Sequence, residues 1–233
     1  VIGADPAYGS SDWADRFCLS VWRCYADGME QVAEFATNEL NTYQFAWVIS
    51  HLAGAYKNST LNLEMNGPGQ AVVNELRNLK RQAMSVGGAY GRDLMDVLGH
   101  MQNYLWRKND TLSGPSNSIG WVTTAATKER MMSYFKDNFE RGMMRVRSVD
   151  LIDEMKTVRR DGGSIMAAGR GKDDRVIAAA LAAAAYEEQL RPRLLAMKLT
   201  RAMSRAIDDK TPEEVAVGRN VSDYLKKIGM YGS

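Results

Sequence analysis

The sequence predicts an α/β fold in which a mixed sheet, antiparallel at first and parallel later, is flanked by helices. Three observations predict it. Three apolar strand-like runs succeed one another across short links in the first 35 residues, a broad apolar helical pattern and a short alternating strand follow, and a second helix closes the series. Short links join antiparallel neighbours, whereas a strand reached through a helix can return parallel, so the order β-β-β-α-β-α calls for both pairings.

The first run, Val1 to Ala4, ends at Asp5-Pro6, where proline cannot continue a central ladder, so the last strand side chain is an acid. Arg16 to Tyr25 reads as the second strand, Asp27-Gly28 as a hairpin turn, and Met29 to Phe35 as the third strand. Tyr43 to Tyr56 carries an apolar pattern broader than one stripe, that of a largely buried helix. In Thr60 to Met65, Leu61, Leu63 and Met65 alternate with Asn62 and Glu64 before Asn66-Gly67-Pro68-Gly69 stops the strand. Gln70 to Ala83 is the second helix.

From Ser85 to Gly120 the pattern weakens to a helix or hairpin followed by a polar loop through Ser113 to Ser118. Helical spacing returns in Lys128 to Arg141, Met143 to Arg147 alternates like a strand, and Val149 to Met155 reads as a short helix. Thr157 to Ala168 reads as a hairpin around Asp161-Gly162-Gly163. Asp173-Asp174 opens an Ala-rich helix running to Leu190, its acids complementing the helix dipole. The chain is expected to be helical again from Pro192 to Asp208, with a last short helix at Thr211 and a polar tail. One domain over residues 1–190 and a helical extension with a tail over 191–233 is the simplest division.

Composition narrows the chemistry. With 233 residues, 45% hydrophobic and 25% charged, the chain is ordinary globular material. No apolar run approaches the roughly 20 residues of a membrane helix, so no membrane span is expected. The sequence opens at Val1 with neither Met nor a signal-like segment, and is expected to be a piece of a longer polypeptide. Lys plus Arg exceed Asp plus Glu by only 30 to 28, so any nucleic-acid site must be a local patch. Cys18 and Cys24, on one strand, stand about 20 Å apart and are expected to be reduced. Only His51 and His100 are available for histidine chemistry, which leaves carboxylates as the source of hard-metal or acid–base groups.

Three acidic positions stand beside apolar elements: Asp5, Glu64, and the pair Asp173-Asp174. Singly, each has an ordinary reading, as a turn former before proline, a solvent-facing strand residue and a helix N-cap. Jointly they mean more. If the fourth strand lies parallel beside the first, Asp5 and Glu64 become neighbours, and a covering helix can bring Asp173-Asp174 to the same edge. Such a cup can hold two divalent ions about 3.5 to 4 Å apart, as in-line attack on a phosphodiester requires.

Asp5-Pro6-Ala7-Tyr8-Gly9 with Asp15, and Leu61 to Gln70 around Glu64, resemble the nuclease domain of tailed-phage large terminase subunits. Gly120 to Thr124 with Thr127-Lys128-Glu129, Leu151 to Met155, and Lys172-Asp173-Asp174-Arg175 before the alanines resemble it in the same order. The likeness spans residues 1 to 190. It implies an RNase H-like fold and a metal-dependent endonuclease that cuts concatemeric double-stranded viral DNA during packaging, with little sequence preference. It further implies Mg²⁺ or Mn²⁺ at a two-ion site, with Asp5 bridging, Glu64 holding one ion and Asp174 completing the set. Asp173 is a second ligand or cap, and Asp15 and Lys172 are auxiliary. The implied partners are DNA, an ATPase motor in the same polypeptide, the small terminase subunit and the portal; the implied setting is the host cytoplasm during phage assembly.

Two departures stand out. Lys172 takes the place of a histidine common before the aspartate pair, and residues 85 to 120 match no part of the family pattern. Gly169-Arg170-Gly171-Lys172 is not the motor's phosphate-binding loop, because Asp173 follows where Ser or Thr is needed. Lys128, Arg159, Arg160, Arg170 and Lys172 are the candidate phosphate contacts; interspersed acids equally allow a mixed solvated surface. Trp47, Trp106 and Trp121 read as core packing residues, His51 as a satisfied core or surface histidine, and Met131, Met132, Met143 and Met144 as adaptable packing or interface residues. Rival functions are another RNase H-like nuclease such as a junction resolvase, or a noncatalytic portal- or partner-docking module.

Overall fold

In the computed structural model, residues 1–9, 15–56, 59–86, 107–110, 114–161, 164–168 and 171–208 are described. Strands β1 (Ile2–Asp5), β2 (Phe17–Tyr25) and β3 (Gly28–Thr37) form the expected meander, and β4 (Leu61–Leu63) follows helix α1 (Thr42–Ala55). The sheet runs β4-β1-β2-β3-β7, with β7 (Met144–Arg145) at one edge. β1 pairs antiparallel with β2 and parallel with β4, and β7 is parallel to β3. Beyond β4, Glu64 and Trp121 form a parallel bridge that carries the ladder outward.

Two cores sandwich the sheet. Ile2, Ala4, Phe17, Leu19, Val21, Leu61 and Leu63 face α1 and α2 (Gly69–Val86), which contribute Phe45, Ile49, Val72 and Leu79. The other face packs against α3 (Ala125–Glu140), α4 (Val149–Thr157) and α5 (Asp174–Ala185), through Trp22, Met29, Met131, Phe135, Leu151 and the α5 alanines. Period-2 alternation sends these two sets to opposite faces.

The register explains why α5 can lie so close. Gly3 is paired with Ser20 on one side and Asn62 on the other, so a row of small or polar residues crosses the sheet under the helix. A Cβ on Gly3 would stand 1.9 Å from the Ala178 carbonyl oxygen and 2.8 Å from the Ala182 nitrogen. Asn62, fully buried, donates from Nδ2 to the Leu181 carbonyl at 2.8 Å. The alternation in β4 is therefore not an inside–outside pattern, because both faces of this strand are covered.

Other expectations needed correction. Of Ser113 to Ser118, read as loop, Ser113 lies outside the described residues and residues 114–118 fall on β6 (Gly114–Ile119), which pairs with β5 (Arg107–Asp110) as a separate hairpin. The Ala-rich helix ends at Ala185 and passes into a π-helical turn, Tyr186–Leu190, before α6 (Arg191–Ala196). Pro192 sits in the first turn of α6, and the helical stretch expected to Asp208 breaks before α7 (Arg201–Asp208). The hairpin predicted at Thr157 to Ala168 is β8 (Val158–Asp161) with β9 (Ser164–Ala167). Cys18 and Cys24 are free. Trp121 is buried, Trp47 on α1 packs against the core on the α1 and α2 face, and His51 is an exposed histidine beside Trp47. Among the described residues no helix is long and apolar enough to cross a membrane. Residues 87–106, Trp106 and His100 among them, and the tail from 209 lie outside the described residues.

Candidate active site

Parallel pairing of β1 and β4 sets the site. The two strands end together, with the Glu64 amide donating to the Ala4 carbonyl at 2.9 Å, so Asp5 and Glu64 leave the same edge side by side. Pro6 cannot extend the ladder, and beyond Glu64 the chain turns through Asn66-Gly67-Pro68. Gly69 is required there because a Cβ would stand 2.0 Å from the Glu64 carbonyl oxygen. Asn66 clasps the next segment with two bonds, Nδ2 to the Thr123 carbonyl at 2.7 Å and the Thr123 amide to Oδ1 at 2.8 Å.

Helix α5 delivers the remaining acids to this edge. A cavity of about 280 Å³ is lined by Asp5, Asp15, Glu64, Asp173 and Asp174, with Tyr8, Asn66, Thr123 and Lys128 around them. Every carboxylate proposed from sequence therefore reaches one hollow. Asp174 is the more buried of the adjacent pair, 5% exposed. Asp173 holds the N-cap position without a side-chain capping hydrogen bond, so capping is not its use here.

Electrostatics register the crowding. Burial, the neighbouring Glu64 carboxylate and a hydrogen bond with it, and then Asp174 and Asp173, push the Asp5 carboxyl well above its ordinary value. Burial likewise raises Asp173, against the pull of Lys128, and raises Asp174, against the pull of Arg16. The cation–carboxylate separations are 3.8 Å for Lys128–Asp173 and 3.1 Å for Arg16–Asp174. Among the described residues no three acids, histidines or cysteines are gathered into a closed ligand set. The donor set nevertheless fits a divalent cation, since it is all hard carboxylate oxygen and carries more negative charge than Lys128 and Arg16 can offset. Asp5, Glu64, Asp173 and Asp174 are the residues that would hold it.

Sequence reasoning missed Arg16, Glu154, Tyr8 and Thr123. Arg16 joins Asp174 to Glu154. Tyr8, 79% exposed, stands at the rim over Gly67, where any side chain would meet its ring. The Thr123 hydroxyl is shielded from solvent and has no hydrogen-bond partner among the described residues. Tyr8, Thr123 and Glu154 were marked in sequence only by lying within motif runs; Arg16 carried no signal.

The candidate phosphate contacts do not all converge. Lys128 lines the cavity, while Arg159 and Arg160 border a separate hollow of about 560 Å³ between α3 and the β8–β9 hairpin. Arg160 is ion-paired with Glu129. Lys172 is half-buried just before the aspartates, and Arg170 lies outside the described residues.

No protein-family model and no curated protein matches this sequence. Among solved structures, the chain is similar to the large terminase nuclease from thermophilic phage G20c with bound magnesium. The two are 19% identical over 78% of this chain and 79% of that one, with a TM-score of 0.54. The cobalt-bound form of the same nuclease gives 19% identity, the same coverage and a TM-score of 0.52. The likeness shows the fold: an RNase H-like mixed sheet flanked by helices.

Proposed function

We propose that this chain is a metal-dependent endonuclease that hydrolyses double-stranded DNA in viral genome packaging. The observation that carries the reading is the convergence of Asp5, Glu64, Asp173 and Asp174, from two parallel strand ends and one helix start, on one solvent-open cavity. The fold it shares with a terminase nuclease that binds magnesium and cobalt supports it.

Bound divalent ions, Mg²⁺ or Mn²⁺, would supply an activated water and stabilise the leaving 3′ oxygen. The chain's own residues prepare for them. Asp5 would be a ligand to both ions and Glu64 to one of them, and Asp174 or Asp173 would complete the set. Lys128 at the rim offers a charge to the phosphate, and Tyr8 offers an exposed ring beside it. No side chain here forms a covalent intermediate. The polypeptide's motor, the small subunit and the portal are the partners this reading implies.

Plasmid cleavage in Mn²⁺, Mg²⁺ or EDTA tests it, comparing the parent with Asp5→Ala and Glu64→Ala. Metal-dependent nicking and linearisation, lost in both variants, is the expected result. Cleavage that persists in EDTA or in Asp5→Ala would remove the carboxylate site from the chemistry.

A further inference from the structure

Arg16 is the one guanidinium that touches the acids of the cavity among the described residues. Its backbone amide and Nε both donate to Oδ2 of Asp174, at 3.3 and 3.1 Å. Its Nη2 is bound to Oε1 of Glu154. Glu154 is fixed in turn by Arg175, whose amide donates to Oε2 at 2.9 Å and whose Nη1 donates to Oε1 at 2.7 Å. Arg175 also reaches Glu34 at 2.8 Å and Asp150 at 2.9 Å. Glu34 accepts from the Ser148 hydroxyl at 3.0 Å, which also caps α4.

The chain of contacts thus runs from Asp174 through Arg16 and Glu154 to α4 and the sheet. Its central members are largely covered, with side-chain exposures of 20% for Arg16, 10% for Glu154 and 12% for Arg175. A buried charge left unpaired is costly, so each member holds the next in place. A guanidinium can do this because its planar fork spans two carboxylates at fixed angles; an ammonium cannot.

We propose that Arg16 is a positioning residue for metal binding. By claiming Oδ2 from two directions it locks the Asp174 carboxylate and leaves the other oxygen to the cation, and Glu154 locks Arg16. The inference rests on the metal-site reading above and extends it to two residues outside the cavity lining. It separates from a simple counter-charge role, because a positive neighbour acting by charge alone weakens cation binding, whereas one acting by orientation strengthens it.

Calorimetric titration of the metal-free chain with Mn²⁺ distinguishes the two, using Arg16→Lys, which keeps the charge and loses the fork, and Arg16→Gln, which loses both, so that a pure counter-charge role predicts tighter binding and an orienting role weaker binding. Each is expected to weaken Mn²⁺ affinity about 10-fold or more, the usual range for partners that orient a metal ligand. Far-ultraviolet circular dichroism shows which variants fold; if Arg16→Lys does not, Arg16→Gln carries the comparison. Parent-like or tighter Mn²⁺ binding in the folded variants, with the parent binding and cleaving normally, overturns the positioning role and leaves the nuclease reading intact. A parent that neither binds Mn²⁺ nor cleaves overturns both.

Discussion

Asp5 holds together the competing demands of the site. Its carboxyl is raised by burial and by Glu64, so the folded, metal-free chain takes up a proton that the unfolded chain releases near pH 3.9. The associated stability is fully present below that unfolded value and is lost as pH rises through the raised folded one. Asp173 and Asp174 are shifted in the same direction and add to the trend. The melting temperature of metal-free protein should therefore carry a downward contribution above pH 4, which Asp5→Asn reduces; an unchanged pH profile in that variant would contradict the assignment. Mn²⁺ must displace the same proton, so its affinity should increase with pH, as calorimetry at two pH values would show.

The acids were legible because each interrupts an apolar element beside a breaker: Asp5 before Pro6, Glu64 before Asn66-Gly67, and Asp173-Asp174 at a helix start. Arg16 was not, and Glu154 was marked only by lying in the run Leu151 to Met155. Their meaning lies in contacts 158 and 138 residues away in sequence, and no local pattern distinguishes them from surface charges. The burial of Asn62 was not legible for the same reason, since alternation cannot reveal that a helix covers the second face.

At the scale of elements, the approach of α5 to β1 positions the site. The Ala-rich helix and its start at Asp173-Asp174 were readable, and so was the strand order as a mixed sheet. The π-helical turn after Ala185 and strand β6 were not, because a single added residue per turn and a polar six-residue strand leave no apolar period. Gly3→Ala tests the approach. Its methyl group would collide with backbone atoms of Ala178 and Ala182, which cannot turn aside as a flexible side chain can. A loss of about 3 kcal/mol in urea unfolding is expected, at the upper end for overpacking. Metal-dependent cleavage should fall with it, since α5 carries Asp174. A neutral Gly3→Ala would show that the helix does not rest on the sheet at this point.

At the scale of the whole molecule, a net charge of +2 conceals a locally acidic cavity. Phosphate is repelled from it until cations bind. DNA binding, followed by fluorescence anisotropy at constant ionic strength, should thus be tighter in Ca²⁺ than in EDTA. Lys128→Ala should reduce the slope of log affinity against log salt by about 1. Equal binding with and without a divalent ion would place the DNA surface away from the cavity.

The central claim is that this cavity is a metal centre. Anomalous diffraction from crystals soaked in Mn²⁺ at a concentration that supports cleavage tests it most directly. The account predicts Mn²⁺ peaks in contact with Asp5, flanked by Glu64 and by Asp174 or Asp173. An empty cavity at that concentration, or Mn²⁺ bound only elsewhere on the chain, would contradict it.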